Sequence, residues 1–441
     1  MLLHKTPTPN HLPTDQENTI LKFDFQRLAD TTFQRCQELA KFSQAANCMD
    51  RRYLTKQHKL ANAQVAAWME QAGMTTWQDA VGNICGKYVA HSTTQTTEAN
   101  SPPIKTLLIG SHLDTVPNGG KYDGILGVLV PLAVLQYCHD ENIQFPFHIE
   151  IIGFCDEEGT RFGTTLLGSR ALTGNWQQEW ASLTDEHGVS LAQAMQDFGL
   201  DFARVAEAKR DSESLLGFYE VHIEQGPVLE AKQLPVGVVT SIAGAKRLQI
   251  NVSGMAGHAG TVPMEMRQDA LVASAKMITQ IANIAEQQQL VATVGQIQSF
   301  PGAVNVIPGK AVFSLDIRSE SDAIRDQALN AIFAMLQSVS NDTGTQVTWQ
   351  QTHHADAVAC DETLQTQLRA AIAAQDMQPL SLFSGAGHDA MEIAQLCPMS
   401  MLFVRCAGGI SHHPAEAITV EDTQYAIETS FRFIESLASK F

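Results

Sequence analysis

The feature that most constrains the fold is a series of short apolar runs, each ending in a cluster of polar residues. Runs of this length, rich in isoleucine, valine, leucine and phenylalanine, are typical of buried strands in an α/β sheet. The runs and the clusters after them are IKTLLIG before SHLD, FHIEIIGF before CDEEG, LGFYEV before HIEQG, and MSMLFV before RCAGGISHH. Sites in such sheets lie at the carboxyl ends of the strands. The sequence therefore predicts an α/β fold with its site along one sheet edge.

Length and charge exclude several classes of protein. The chain has 441 residues and a formal net charge of −18, which indicates about two or three domains and argues against nucleic-acid binding. The longest apolar run, GILGVLVPLAVLQYC at 124–138, is too short to cross a membrane and predicts a buried helix that contains Pro131. Residues 1–18 lack the apolar core of a signal peptide, and the eight cysteines form no CxxC pair. We expect reduced thiols and a cytoplasmic location.

A change of pattern between residues 240 and 354 predicts an inserted domain. We expect strands near 235–253, 290–298, 310–318 and 345–352, with helices at 265–288 and 321–340. The resulting order, β-α-β-β-α-β, is the ferredoxin-like arrangement. Residues 1–239 and 355–441 would then form the catalytic domain around the first sheet. The polar, low-complexity segment 91–103 receives no role.

The polar clusters at the strand ends are rich in imidazole and carboxylate groups. They contain His112, Asp114, Asp123, Asp156, Glu157, Glu158, His222, Glu224, His412 and His413. A single histidine is more often structural, and a DEEG segment is more often a solvated turn. Four clusters at four strand ends would crowd carboxylates that repel one another, and a divalent cation removes that penalty. Mixed imidazole and carboxylate ligands suit zinc, manganese or cobalt better than magnesium or calcium.

Eight motifs together resemble the amidase/hydantoinase–carbamoylase family. They are GSHLDTVPNGGKYDG, DEEGTRFGTTLLGSRALTG, HIEQGPVLE, GHAGTVPMEMRQDA, PGAVNVIPG, DIRS, GAGHDA and GGISHHPAE, in this order. The resemblance runs from about residue 25 to the end. The family includes allantoate amidohydrolases, N-carbamoyl-L-amino-acid hydrolases and yeast-type β-ureidopropionases, within the aminoacylase/carboxypeptidase clan of dinuclear metallohydrolases. The resemblance implies a metallopeptidase-like catalytic domain with an inserted ferredoxin-like lid and dimerisation domain.

The resemblance also implies two divalent ions per subunit, zinc or manganese. His112 and His222 would hold one ion and Glu158 and His412 the other, with Asp123 as the bridge. Asp114 would orient His112, and Glu157 would act as the general base. Peptidases of the wider clan usually carry a carboxylate at the position of His222. That difference points away from peptides and towards ureido substrates.

Further residues of the motifs would contact the substrate. The resemblance implies that His258 stabilises the tetrahedral intermediate and that Arg318 binds a substrate carboxylate through two parallel hydrogen bonds. Gln225 and Asn305 would add hydrogen bonds. Gly387 would offer a backbone contact, which Gly385 fits nearly as well, and His388 is either an outer neighbour of the site or structural.

The resemblance implies an amidohydrolase that cleaves the ureido C–N bond of allantoate and releases ammonia and carbon dioxide. An N-carbamoyl-L-amino-acid hydrolase is the alternative, and a β-ureidopropionase a less favoured one. His222 disfavours an aminoacylase or dipeptidase. The complete ligand set disfavours a catalytically silent binding protein. We expect a homodimer that acts on a small ureido carboxylate.

Overall fold

The computed structural model describes residues 24–90 and 103–440. Residues 1–18 and nearly all of segment 91–103 lie outside the described residues. Strands and helices are numbered here in chain order. The described residues form two main sheets and one short two-stranded ribbon.

The larger sheet has nine strands. They are β1 (Thr75–Gln78), β2 (Ile84–Tyr88), β3 (Thr106–His112), β4 (His148–Phe154), β5 (Leu215–Ile223), β6 (Val236–Ile242), β14 (Val358–Ala359), β15 (Ser381–Ser384) and β16 (Met399–Val404). At its centre, β3 pairs in parallel with both β4 and β5, and β16 pairs in parallel with β5. The carboxyl ends of these four strands therefore meet at one edge, as the four apolar runs predicted.

Nine of the helices surround this sheet. They are α1 (Phe25–Leu39), α2 (Lys56–Gln71), α3 (Ile125–Asp140), α4 (Leu167–Thr173), α5 (Leu191–Phe198), α6 (Val228–Lys232), α9 (Glu362–Ala373), α10 (Ala390–Ile393) and α11 (Val420–Ala438). Helix α3 confirms the predicted buried helix: residues 125–135 are all buried, and Pro131 lies inside it. Among the described residues, no helix combines the length and apolar character that crossing a bilayer requires.

The second sheet is antiparallel and has its own apolar core. Its strands are β7 (Gly244–Ser253), β9 (Val291–Thr293), β10 (Ile297–Phe300), β12 (Lys310–Ser319) and β13 (Gln346–Ala355). The order is β10-β12-β7-β13, with β9 also on β12, as in ferredoxin-like sheets. Helices α7 (Ala270–Gln287) and α8 (Asp322–Asp342) cover one face. Strands β8 (Gly257–His258) and β11 (Val306–Ile307) form the separate ribbon.

The single strand expected near 235–253 is wrong. The structure divides this segment at Ala243, so that β6 belongs to the first sheet and β7 to the second. The residues of β6 are almost all buried, whereas β7 alternates between buried and more exposed positions after Ala245. This change marks the passage from a sheet covered on both faces to one covered on a single face. The chain returns to the first sheet between Ala355 and Val358.

Helix α3 lies very close to the first sheet at Gly127, which generates a prediction about stability. A Cβ atom at this position would overlap the carbonyl oxygen of Val221 on β5 and come within 2.6 Å of the Ser111 Cβ. Gly127→Ala should therefore push α3 off the sheet and lower the unfolding free energy by about 1–3 kcal/mol. Thermal unfolding followed by circular dichroism measures the change.

Gly295→Ala is the matched control, because a Cβ there meets nothing within 4 Å. It should change the unfolding free energy by less than about 0.5 kcal/mol. Equal melting temperatures for Gly127→Ala and the wild type would contradict the packing described for α3.

Candidate metal and catalytic site

The shared sheet edge brings together the five residues expected to hold metal. His112 ends β3, His222 lies near the end of β5, and Glu158 follows β4. His412 comes from the loop after β16, and Asp123 lies just before α3. The intervening Gly124 has a φ of 68°, and a side chain there would collide with the His112 ring. Glycine is therefore required for the chain to carry Asp123 past His112.

The carboxylate of Asp123 lies at the centre of this group. Its Oδ1 is 3.2 Å from His222 Nε2 and 3.9 Å from His112 Nε2. Its Oδ2 is 3.2 Å from His412 Nε2, and the same imidazole nitrogen lies 3.4 Å from Glu158 Oε1. Asp123 thus belongs to two groups of possible ligands, one with His112 and His222 and one with Glu158 and His412.

The two buried histidines are held with Nε2 towards Asp123. His112 Nδ1 lies 3.0 Å from the carbonyl oxygen of Asp114, and His222 Nδ1 lies 2.9 Å from that of Ile223. A ring whose Nδ1 proton is donated to a carbonyl presents the Nε2 lone pair as a ligand. The geometry therefore fits metal coordination through Nε2 at both histidines.

Asp114 has a different position from the one expected. Its main-chain carbonyl, rather than its carboxylate, receives the short contact from His112; the carboxylate oxygen is 3.7 Å from Nδ1. The carboxylate instead accepts the backbone N–H groups of Glu157 and Glu158 at 3.1 and 3.2 Å. Asp114 therefore connects the end of β3 to the loop after β4, because a side chain at one strand end caps the backbone at the next.

Two residues that the sequence reasoning missed support Asp123. Ser411 Oγ donates to Asp123 Oδ2 at 3.0 Å and contacts Glu416 Oε2 at 3.1 Å. Glu416 Oε1 accepts the backbone N–H groups of Tyr122 and Asp123. Both residues lie in GGISHHPAE, where the acidic residue three positions after the paired histidines is the signal that could have found Glu416. Gln225 Nε2 lies 3.1 Å from both Asp123 oxygens.

The remaining acidic and imidazole candidates have other environments. Glu224 accepts the N–H groups of Val228 and Leu229 and so caps α6. His413 Nδ1 accepts the N–H of Ala415. Asp156 is fully buried, and neither carboxylate oxygen has a hydrogen-bond partner among the described residues. None of these three enters a group of possible metal ligands within the described chain.

Charge in the site is strongly coupled. Burial would raise the pKa of Asp123, but hydrogen bonds from His222 and His412 lower it well below its usual value. Although burial disfavours a charged imidazole, Asp123 raises the pKa of His222 to about 9. The hydrogen bond to Asp123 likewise raises the pKa of His412 to about 9. Burial, reinforced by Asp123, raises the pKa of Glu158 to about 8.

Glu157 forms a further group of possible ligands with His112 and Glu158, but it belongs to neither of the two groups that share Asp123. Burial and the neighbouring Glu158 raise its pKa well above the usual range. A carboxyl whose pKa lies closer to neutrality can both accept and donate a proton. Gly387 lies opposite it: a Cβ at Gly387 would be 4.0 Å from Glu157 Oε1.

Strained backbone occurs at the same place. Asp156, Gln225 and His412 have φ values of 58°, 56° and 55°, in the left-handed region that residues with a side chain rarely adopt. Each such residue costs about 1–3 kcal/mol and persists where surrounding contacts hold it, often at functional sites. The site loops are therefore held in conformations that their local sequence does not favour.

A cleft of about 580 Å³ lies over these residues. Its floor carries the metal candidates, and its opposite wall comes from the second sheet with Arg247, Arg318, His353 and His354. Gly385 and Gly387, both considered from the sequence, line it too. His388 lies beneath, with Nε2 2.7 Å from Ser384 Oγ and its ring 4.5 Å from that of His222. Arg247 was missed, since an arginine on an alternating strand resembles an ordinary surface residue.

Arg318 faces the cleft, but its two parallel hydrogen bonds are already formed within the chain. Nε and Nη2 donate to the two carboxylate oxygens of Asp316 at 2.8 and 2.9 Å, and Nη1 donates to the carbonyl of Gly385. Arg247 Nε binds the same Asp316. A substrate anion would therefore meet the outer edge of a cluster of two guanidinium groups and one carboxylate, with net positive charge.

His258 and Asn305 are not among the residues that line the cleft. Both are associated with the β8–β11 ribbon, where His258 pairs with Val306 and the carbonyl of Asn305 accepts the N–H of Ala259. The ribbon adjoins the end of β12 at Lys310, and Arg318 is eight residues along that strand, a separation of about 27 Å. The expected contact of these two residues with substrate is therefore not made within the described chain.

Comparison with known proteins assigns the family. The model of Peptidase family M20/M25/M40 matches residues 108–436. The chain belongs to this family. It is therefore a hydrolase of carbon–nitrogen bonds in linear amides, and the resemblance found in its motifs is confirmed.

Several M20/M25/M40 relatives are similar over nearly the whole chain. An allantoate deiminase of Arabidopsis thaliana is 37% identical, over 93% of this chain and 82% of its own. An N-carbamoyl-L-amino acid amidohydrolase of Geobacillus stearothermophilus is 36% identical, over 92% and 98%. A hydantoinase/carbamoylase family amidase from Burkholderia multivorans has a structure that superposes with a TM-score of 0.85 at 30% identity, over 93% of this chain and 98% of its own.

The coupled charges generate a prediction about metal affinity. A histidine must lose its proton to bind a metal ion, and the raised pKa values of His222 and His412 keep both protonated at pH 7. Affinity for zinc should therefore rise as the pH rises from 6 towards 9, by about tenfold per pH unit for each proton released. Titration of metal-free protein against a competing fluorescent chelator at several pH values measures it.

Adjacent histidines provide the matched control. His412→Gln removes a ligand of the second group and should lower the number of tightly bound ions, whereas His413→Gln should leave binding unchanged. A pH-independent affinity, or equal losses in the two variants, would contradict the assignment.

Proposed function

We propose that this chain hydrolyses the ureido C–N bond of allantoate with the help of two divalent ions, zinc or manganese. The observation that carries the proposal is the pairing of two ligand groups that share Asp123 with a wall that carries Arg247 and Arg318 across one cleft. The donor set contains imidazoles and carboxylates and no thiolate, which fits either metal. A substrate with a ureido group and a carboxylate, a few bonds apart, matches these two surfaces.

The mechanism assigns the proton transfers to Glu157. His112, Asp123, Glu158, His222 and His412 would hold two divalent ions, which would supply Lewis-acid activation of water and offset the carboxylate charge. Glu157 would take a proton from a water molecule as the water oxygen bonds to the ureido carbon, and would then give the proton to the leaving nitrogen as the C–N bond breaks. The carbamate formed decomposes to ammonia and carbon dioxide. Arg318 and Arg247 hold the substrate carboxylate on the opposite wall.

Part of the cleft lining suits the two ureido groups of allantoate. Allantoate carries two ureido groups and one carboxylate on a single carbon, so that no part of it is a large apolar group. Beyond the metal groups, the lining contains polar residues with which ureido N–H and carbonyl groups can pair, namely Thr165, Arg170, Arg247, His353, His354, Glu392 and Gln395. The lining also contains Leu166, Val358 and Met391, against which the apolar side chain of an N-carbamoyl amino acid would pack.

The substrate assignment is tested by ammonia release from metal-reconstituted protein. We expect the highest kcat/KM for allantoate, compared with N-carbamoyl-L-amino acids, N-carbamoyl-β-alanine and a dipeptide, and loss of activity with chelator. A higher kcat/KM for an N-carbamoyl amino acid would support the proposed hydrolysis of a ureido C–N bond but contradict allantoate as the substrate. Absence of activity on every ureido compound by protein with bound metal would refute the proposal.

Replacing the general base separates metal binding from chemistry. Glu157→Gln keeps the shape of the side chain but cannot accept the proton, so kcat should fall by about 10²–10⁴-fold. Zinc content, measured by atomic absorption, should stay at the wild-type level, because Glu157 is outside the pair of groups that shares Asp123. A variant that retains appreciable kcat would refute the role of Glu157.

We also propose that the active unit is a homodimer in which His258 serves the site of the other copy. His258 must lie at a cleft if it is to contact substrate. It does not line the cleft of its own chain, which is separated from the ribbon by nearly the length of β12. Around the ribbon lie the exposed apolar side chains of Met255, Met264, Met266 and Val304. Exposed apolar surface of this kind is typical of interfaces between chains.

Mixing two inactive variants tests this arrangement. In a heterodimer of His258→Ala and Glu157→Gln, one site would combine an intact Glu157 with an intact His258 supplied by the other copy. Coexpression should then restore about a quarter of wild-type activity, since half the dimers are mixed and each has one working site. If His258 acts within its own chain, the mixture stays inactive.

The cysteines support the proposed cytoplasmic location. All eight are free, and all but Cys48 are buried. Burial raises the pKa of the Cys36 and Cys138 thiols to about 12. Such thiols stay protonated and unreactive, as structural cysteines of a reducing compartment do.

A further inference from the structure

Arg51 is a fully buried cation close to the metal site but outside the cleft. It lies between α1 and α2, has 0% exposure, and heads the largest fully buried side chains of the described residues. It is not among the residues that line the cleft and so does not reach substrate. Burying a guanidinium group is costly unless its hydrogen bonds and charge are compensated. A structural or functional reason is therefore needed for its position.

The contacts of Arg51 all tie the end of β3 to the end of α1. Its Nε donates to the carbonyl of Leu113 at 2.7 Å, and Nη1 donates to those of Leu39 and Phe42 at 2.8 and 3.2 Å. Its backbone N–H donates to Thr115 Oγ1, and its carbonyl accepts the N–H of Thr115. The chain on both sides of Asp114 is thus clamped by one residue.

The compensating charge comes from the site itself. Arg51 forms no ion pair with a carboxylate of the described residues, and its Nη2 has no hydrogen-bond partner among them. Burial lowers the pKa of Arg51 to about 10, opposed by the charge of Asp114, so the side chain remains a cation at neutral pH. The carbonyls of Leu39 and Phe42 lie at and just beyond the carboxyl end of α1, where a cation is also favoured.

Leu113, whose carbonyl Arg51 binds, lies between His112 and Asp114 in the chain. Arg51 therefore constrains the backbone of both site residues. His112 is oriented by the carbonyl of Asp114, and the Asp114 carboxylate holds the N–H groups of Glu157 and Glu158. Rotation of the peptide after Leu113 would release these contacts together. One buried side chain therefore holds the backbone on which a ligand of each metal group and the general base depend.

We propose that Arg51 is a positioning residue of the metal centre, which clamps residues 113–115 and thereby sets the geometry of His112, Glu157 and Glu158. This inference rests on the two-metal site proposed above. Its geometric effect outweighs the electrostatic one: a nearby cation alone would weaken the binding of dications, so removing it would tighten their binding. The sign of the change in metal affinity therefore distinguishes the two effects.

The test is zinc affinity of the full-length chain, measured by competition with a fluorescent chelator after metal removal. Arg51→Met removes the charge and the clamp, and Arg51→Lys keeps the charge but cannot bond all three carbonyls. Both should weaken zinc binding by about 10- to 100-fold, the usual effect of losing support for a metal ligand. In zinc-saturated enzyme, kcat should fall while KM changes little, because Arg51 does not touch substrate.

Arg325→Met is the matched control, since Arg325 is also almost fully buried but binds Asp322 and Asp326 on helix α8. It should lower the melting temperature without changing zinc affinity, which separates loss of stability from loss of positioning.

If neither Arg51 variant folds, Thr115→Val tests the inference instead. It removes the hydrogen bond from the backbone N–H of Arg51 to Thr115 Oγ1 at nearly constant side-chain volume. A weakening of about 3-fold or more would support the clamp, given a single lost hydrogen bond.

Three outcomes overturn the inference. Wild-type zinc affinity in Arg51→Lys would show that the guanidinium contacts are not needed. If the Arg51 variants do not fold, wild-type affinity in Thr115→Val would show that holding residue 115 against residue 51 does not set the metal site. Tighter zinc binding by Arg51→Met would show that its charge, and not its geometry, dominates. Absence of zinc binding by the wild type would refute the proposed metal centre as well as the role of Arg51. Equal zinc binding by the wild type and the variants would refute only the role of Arg51.

Discussion

Everything in the site depends on the contact between one buried carboxylate and two imidazoles. Asp123 lies 3.2 Å from both His222 and His412, which come from different parts of the chain. This contact requires parallel strands that end at one edge, the glycine at 124, and the hydrogen bond that the backbone N–H of Asp123 donates to Glu416. Without cations, so many buried carboxyl groups can be accommodated only by taking up protons, which is why the pKa values of Glu157 and Glu158 are raised.

The parts of the fold that the sequence predicted are those with a strong local pattern. Apolar runs that end in polar clusters predicted the parallel centre of the first sheet, and a long apolar run predicted α3. The break at Ala243 was missed, because β6 and β7 are both extended and both apolar enough to read as one strand. What separates them is the sheet to which each belongs, and that depends on contacts far along the chain.

For the site, residue type alone predicted the ligand candidates, but it did not predict what each side chain binds. The structure brings the five candidates for metal ligands together. However, the carboxylate of Asp114 accepts hydrogen bonds from two backbone N–H groups, and the guanidinium of Arg318 donates to Asp316. Residues that act through main-chain atoms, such as Arg51 and Glu416, were missed for a related reason. A carbonyl or N–H partner is present at nearly every position and leaves no signature in the sequence.

The floor and the wall of the cleft belong to different sheets, joined by the chain at Ala243 and between Ala355 and Val358. Every candidate ligand of the two groups that share Asp123 comes from the first sheet, whereas Arg247 and Arg318 come from the second. Substitutions on β7 and β12 can therefore change which molecule is accepted while the hydrolytic chemistry stays intact. Such a division allows the substrate preference of an enzyme to change while its metal site and its reaction are kept.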